Sequence, residues 1–341
     1  MMDRFGGQDP QPCSMPNRRA VLAMAGAAGL LFPAAAFGQT GEIKQEAVSG
    51  YTFDNEYPAW PSGTGPRIGL HRFVSPHVQR GSMEPFATLA QTDGFRFEWI
   101  DHALSAETLK ALDIFMVVNP YLKGGALDYR NFATPDAPSV YSPEEIAMIR
   151  QWVAAGGSLL VLADHSPFAG GAIKLLDAFG YTSMTGTTIH ESSTLRAVKS
   201  DIGFAKQGTG LQTGRLASHP ITDGALGRRP IDHFRTFTGQ ALIPPATAQN
   251  LLTIPAGYQT VLTYKLFEEF DTAPRIDASG LSQGAVEEVG KGRIGIFGET
   301  GGFTAQVITN TEPFGLTDPQ ADQNADFVLS VLRWLVHYQP N

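Results

Sequence analysis

Asp164, His165 and Ser166 stand directly after an apolar run, Ser158–Ala163, and just before Pro167. An imidazole so placed can act as a general base or a metal ligand, and an adjacent carboxylate can orient it. Glu299 and Thr300 follow a second apolar run, Ile294–Phe297, where a carboxylate can serve as acid, base or ligand. Asn119 ends a third run, Ile114–Asn119, with Tyr121 just beyond it. His71 and His77 belong to the end of a fourth segment, Arg67–Arg72, and Gln306 lies a little past Glu299. We expect His165 as base, Asp164 as its orienter and Glu299 as acid or ligand. His77, His71, Asn119, Tyr121, Ser166 and Gln306 are the expected substrate-binding residues. Each also has a plain structural role open to it. Asp164 could cap a following helix, His165 could pack with its nitrogens satisfied, and Glu299 could hold the Gly301-Gly302 turn. His190-Glu191 matches no zinc-ligand spacing. The cofactor is left open, with a divalent metal as the candidate.

Side chains scattered this widely in sequence meet only if the segments carrying them share one sheet edge. Strands and helices alternate from residue 67. Phe95–Asp101 reads as a strand and Ser105 as the N-cap of a short helix. Ser142-Pro143-Glu144-Glu145 is a capping-box pattern with proline at the first helical position. Ile146, Ile149, Trp152 and Val153 then recur at helical spacing, and Gly156-Gly157 ends the helix. Ser158–Ala163 does not alternate, as expected of a strand covered on both faces. A further helix is expected over Ala169–Phe179, with its N-terminal N–H groups facing the strand ends. Residues 181–285 read as a β-rich insertion, and Gly290-Lys291-Gly292 as a hairpin turn. A last amphipathic helix spans about Ala325–His337. This order implies a three-layer αβα domain with a mostly parallel sheet, whose ligands bind beyond the carboxyl ends of the strands.

Composition narrows the function classes. A hydrophobic share of 43% with 17% charged residues suits a large core, and a net charge of −8 without a basic block argues against nucleic acid. Arg18-Arg19, an apolar Ala/Gly-rich stretch to Phe32, and small residues ending at Gly38 have the order of a signal peptide of twin-arginine character. Residues 1–38 are therefore expected to be removed on export to the periplasm or cell envelope, leaving no stable membrane span. Residues 39–65 then form an extended leader and 66–341 a single domain. The one cysteine, Cys13, lies in the removed segment, so the mature chain has no thiol nucleophile.

Three passages carry a family resemblance: Trp152–His165, Gly292–Gln306 and Phe327–Leu335. They resemble the class I glutamine amidotransferase-like superfamily, a flavodoxin-like αβα fold. The similarity is to its exported members, including the domain of unknown function in auxiliary proteins of gliding-motility-type ABC transporters. It extends more loosely to trehalose-utilisation-like proteins. Amidotransferases place a cysteine at the turn after the fourth strand, where this chain has Asp164-His165-Ser166, so thiol-based glutamine hydrolysis is excluded. Relatives carry a longer polar run after the first strand, of which Leu70–His77 keeps only His77. The resemblance implies either a hydrolase or lyase acting on a carbohydrate-like substrate, or a non-catalytic binding module. The expected partners are a small-molecule or glycan ligand and, for the second reading, an envelope protein.

Overall fold

The computed structural model describes residues 44–75, 78, 81–120, 138–168, 170–206, 213–263 and 265–340. His77, Tyr121 and the expected signal segment lie outside the described residues. The strands are β1 (Gln45–Ala47), β2 (Arg67–Leu70), β3 (Arg96–Trp99), β4 (Ile114–Val118), β5 (Ser158–Leu162), β6 (Thr182–Ser183), β7 (Thr187–His190), β8 (Ile202–Ala205) and β9 (Thr213–Leu216). They continue with β10 (His233–Thr236), β11 (Leu242–Ile243), β12 (Gln249–Thr253), β13 (Tyr258–Val261), β14 (Arg275–Asp277), β15 (Ser282–Val289), β16 (Gly292–Phe297), β17 (Ala305–Ile308) and β18 (Phe314–Gly315). The helices are α1 (Glu84–Thr92), α2 (Ala106–Lys110), α3 (Pro143–Ala154), α4 (Ile173–Ala178) and α5 (Asn324–Leu335).

Alternation along the strands builds two cores. Ile114 and Met116 of β4, with Leu160 and Leu162 of β5, face one apolar cluster together with α1 and α5. Phe115, Val117, Leu159 and Val161 face the other, against α2, α3 and α4. The result is a layer of helices on each side of a sheet whose β4 and β5 are buried throughout. Strands β3-β2-β4-β5-β16 are parallel neighbours. Counting parallel strands in chain order, that is 2-1-3-4-5, the flavodoxin-like winding.

The insertion does more than decorate this unit. From β16 the sheet continues through β15, β12, β9, β8 and β10. All of those pairings are antiparallel except β8–β9. The sheet of 12 strands is therefore mixed, parallel in one half and chiefly antiparallel in the other. The β15–β16 hairpin turns at Gly290, whose φ of 64° is the left-handed conformation that glycine adopts without steric cost.

Local signals read correctly in several places. Ser142 accepts from the Glu145 N–H while the Glu145 carboxylate accepts from the Ser142 N–H, so both halves of the capping box form. Ser105 caps α2 through the Thr108 N–H. Helix α5 differs from expectation, because it is buried all round and not only on one face. Its polar residues are sheltered by specific partners. Asn324 bonds the backbone of Arg235, and Asp326 binds Arg228 and Arg229. Arg333 binds Asp93.

Residues of the leader close that side of the core. Strand β1 pairs with β17, and Trp60 packs edge-on against Phe95 and Tyr338. Among the described residues, no helix is long and apolar enough to cross a membrane.

Candidate functional site

Strands β4, β5 and β16 lie side by side, so Asn119, Asp164 and Thr300 emerge at one edge. Asn119 has a positive φ of 40°, unusual for a residue with a side chain and tolerated best by Asn, Asp and His. Its Oδ1 accepts from the Asp164 N–H at 2.9 Å, and its Nδ2 donates to Thr300 Oγ1 at 3.4 Å. The Thr300 hydroxyl in turn donates to Asp164 Oδ2. A polar bridge thus joins three parallel strands just past their carboxyl ends.

The bridge corrects the expected role of Asp164. Its Oδ1 accepts from the backbone N–H of His165 at 2.7 Å, not from the imidazole. The ring is oriented instead by the Ser166 carbonyl, 2.8 Å from Nδ1. That carbonyl requires a hydrogen on Nδ1, which leaves Nε2 as the unprotonated nitrogen of the neutral ring. No hydrogen bond involves Nε2 among the described residues. The Ser166 hydroxyl is buried without a partner among the described residues.

Glu299 is held as a structural pin. Its Oε1 accepts from Gly301 N at 2.6 Å and from Phe237 N at 3.4 Å, and its Oε2 from Gly302 N at 2.7 Å. Burial first, and then the nearby Asp164 charge, push its pKa well above the ordinary glutamate value, while those N–H donors pull the other way. Burial likewise pushes Asp164 up. Asp164 as a residue keeps some solvent contact, whereas its carboxyl group lies deep in the protein. The carboxyl depth is what governs its titration.

Other expected residues are used elsewhere. His71 is only 1% exposed, and both of its ring nitrogens are bonded, Nδ1 to the Tyr141 hydroxyl at 2.9 Å and Nε2 to the His102 carbonyl at 3.0 Å. Burial lowers its pKa to about 4, so it packs as a neutral ring and is not available to a substrate. Gln306 sits on β17 and accepts from Gln45 in the leader. The helix expected over Ala169–Phe179 begins later, at Ile173 after a 3-10 turn at Gly170–Ala172, and α4 is a short six residues. Its N-terminus therefore does not supply donors to the Asp164–Ser166 turn. Among the described residues no group of three or more His, Cys, Asp or Glu converges as a metal site.

One contributor was not anticipated. Gln240, fully buried in the insertion, donates from Nε2 to the carbonyls of Ala163 at 2.7 Å and Asp164 at 3.1 Å. Its Oε1 accepts from the Thr185 N–H at 3.2 Å. The antiparallel half thereby fixes the turn that carries His165.

Fold and site together define a doubly wound α/β protein with a large mixed, partly parallel sheet. No protein-family model matches the chain, and no curated protein matches it. Among solved structures it is similar to the mmIFT52 N-terminal domain, with 12% identity and a TM-score of 0.48, over 81% of this chain and 99% of that one. It is also similar to a ThuA-like protein from Bacteroides uniformis, with 11% identity and a TM-score of 0.41, over 85% and 97% of the two chains. The cytoplasmic protein STM1381 from Salmonella typhimurium LT2 shares 14% identity at a TM-score of 0.41, over 74% and 87%. These likenesses are distant, and the architecture above rests on the sheet order itself.

Proposed function

We propose that the chain is an exported envelope module that holds a small, hydroxyl-rich ligand at the Asp164–Ser166 turn without converting it. One observation carries this reading. Every carboxylate oxygen of Asp164 and Glu299 already accepts a hydrogen bond from a protein donor. A carboxyl group serves as general acid or base only within reach of the substrate's proton, and these two are spent on the backbone and on Thr300. The unspent side-chain acceptor is His165 Nε2, whereas Ser166 Oγ is sealed from solvent. An imidazole acceptor suits a sugar hydroxyl.

The test is a panel of mono- and disaccharides followed by ligand-observed NMR for binding and by chromatography for product. The expected outcome is binding that His165→Ala abolishes, with the sugar recovered intact. A product whose formation needs His165 would overturn this reading. It would favour a hydrolase or lyase instead, with the Nε2 lone pair as base, a role that the Nδ1–H bond to the Ser166 carbonyl would support. Export itself is tested by fusing residues 1–38 to a folded reporter and locating it, before and after changing Arg18 and Arg19 to lysine.

A further inference from the structure

A concavity lies in the antiparallel half. It is a cleft of about 470 Å³ between the edge strand β10, its neighbour β8 and the end of the small β7–β13–β14 sheet. Sites that take sugar-sized ligands run from about 300 to 1,000 Å³. Three residues in register form its floor. Gly203 of β8 pairs with Arg235 of β10 on one side and Thr213 of β9 on the other, so all three point to the same face.

Gly203 is the telling residue. Glycine inside a strand weakens it, and is found at a bulge, at a bend, or where another group comes close. Here the register runs unbroken through both neighbours, and the backbone is in no left-handed conformation. A Cβ built on Gly203 would meet nothing within 4 Å. Neither backbone geometry nor protein packing explains the missing side chain, and what it leaves is open floor.

The walls supply charge. Lys199 donates to the Ser192 hydroxyl at 3.1 Å, and among the described residues no carboxylate pairs with it. His190 accepts on Nδ1 from the Ser192 N–H at 3.1 Å, so its Nε2 carries the hydrogen and is a donor. Arg235 is held in place by Asp201 at 2.8 Å and lies over the Phe237 ring. An ammonium with no carboxylate partner among the described residues beside a bare floor calls for an oxyanion, and the His190 N–H, the Asp201 carboxylate and the Thr213 hydroxyl can share hydroxyl groups.

We propose that this cleft is a binding site for a sugar-sized molecule carrying one oxyanion group, seated on Gly203 with its anion at Lys199. The site is separate from the Asp164–Ser166 turn and stands whether or not that turn binds a ligand. Titration calorimetry of the purified protein with galacturonate, glucose 6-phosphate and glucose tests it. At least one of the two anions should bind, and which one identifies carboxylate or phosphate as the group recognised. Glucose should bind at least about tenfold more weakly, the scale of a lost charge-assisted hydrogen bond. Gly203→Phe, which fills the floor, and Lys199→Gln, an exposed change that leaves folding untouched, should each weaken the anion by about tenfold or more. His165→Ala should leave it within about twofold, as expected for distant sites. Failure of both anions to bind, equal binding of glucose, wild-type affinity in Lys199→Gln, or loss of binding in His165→Ala would each overturn the proposal.

Discussion

Two pairs of buried acids lie in this molecule, and the protein treats them differently. Asp93 and Asp326 sit beneath the leader and are neutralised by arginine. Arg333 grips both oxygens of Asp93, at 2.8 and 2.5 Å, while Arg228 and Arg229 hold Asp326. Asp164 and Glu299 at the strand ends have no arginine or lysine partner among the described residues, only N–H and hydroxyl donors. The first arrangement ties together the leader, α1, the insertion and α5, and its purpose is structural. The second leaves two carboxyl groups without a cation in a buried setting: burial raises the proton affinity of both, and the Asp164 charge raises that of Glu299 further.

The sharpest way to break the comparison is to remove a cation. Arg333→Met removes the guanidinium that grips both Asp93 oxygens and leaves Arg228, 3.8 Å away, to neutralise it, and we expect a loss of about 3 kcal/mol in denaturant unfolding. A much smaller value would mean that Arg228 alone suffices to hold the buried carboxylate. Glu299→Ala should cost less, about 2–3 kcal/mol, because it orphans the Gly301 and Gly302 N–H groups but strands no charge. Both are read from the midpoint at constant slope.

The pH dependence probes the second pair. Glu299 has a folded-state pKa above its unfolded value, so between the two the folded state holds a proton that the unfolded state has lost. Its stabilising contribution is complete below the ordinary glutamate range and is lost as pH rises through the raised value. Glu299→Gln should therefore flatten the decline of stability on the alkaline side of that range. An unchanged slope would show that the carboxyl group titrates normally. The mildest change is Asn55→Ala. Asn55 links Asp93 and Arg228 at 2.9 and 2.8 Å, but the arginines already supply the neutralising charge, so we expect about 1 kcal/mol.

The two regions also differ in how legible they were. The strand ends could be found because each candidate follows its own apolar run, and a parallel sheet brings such ends together. Asp164, Asn119 and Glu299 do share that edge. What periodicity could not show is what each oxygen accepts from. The Thr300 and Gln240 contacts to Asp164 span 136 and 76 residues, and no local pattern announces them. His71 illustrates the same gap. It follows a strand as a ligand residue would, yet Tyr141, 70 residues away, has already taken one of its nitrogens. The arginine cluster was unreadable for the same reason, since Arg333 and Asp93 are 240 residues apart. The capping box and the β15–β16 hairpin were readable because their partners lie within a few residues.

The account turns on Glu299 being a buried acid raised by its surroundings and not an ion stabilised by them. Carbon-detected NMR titration of the glutamate carboxyl groups, with Glu299→Gln to assign the signal, measures this directly. We predict that the Glu299 resonance titrates at higher pH than those of the exposed glutamates. A Glu299 signal that moves together with them, or at lower pH, would show that the backbone N–H groups hold a carboxylate anion and would contradict the account.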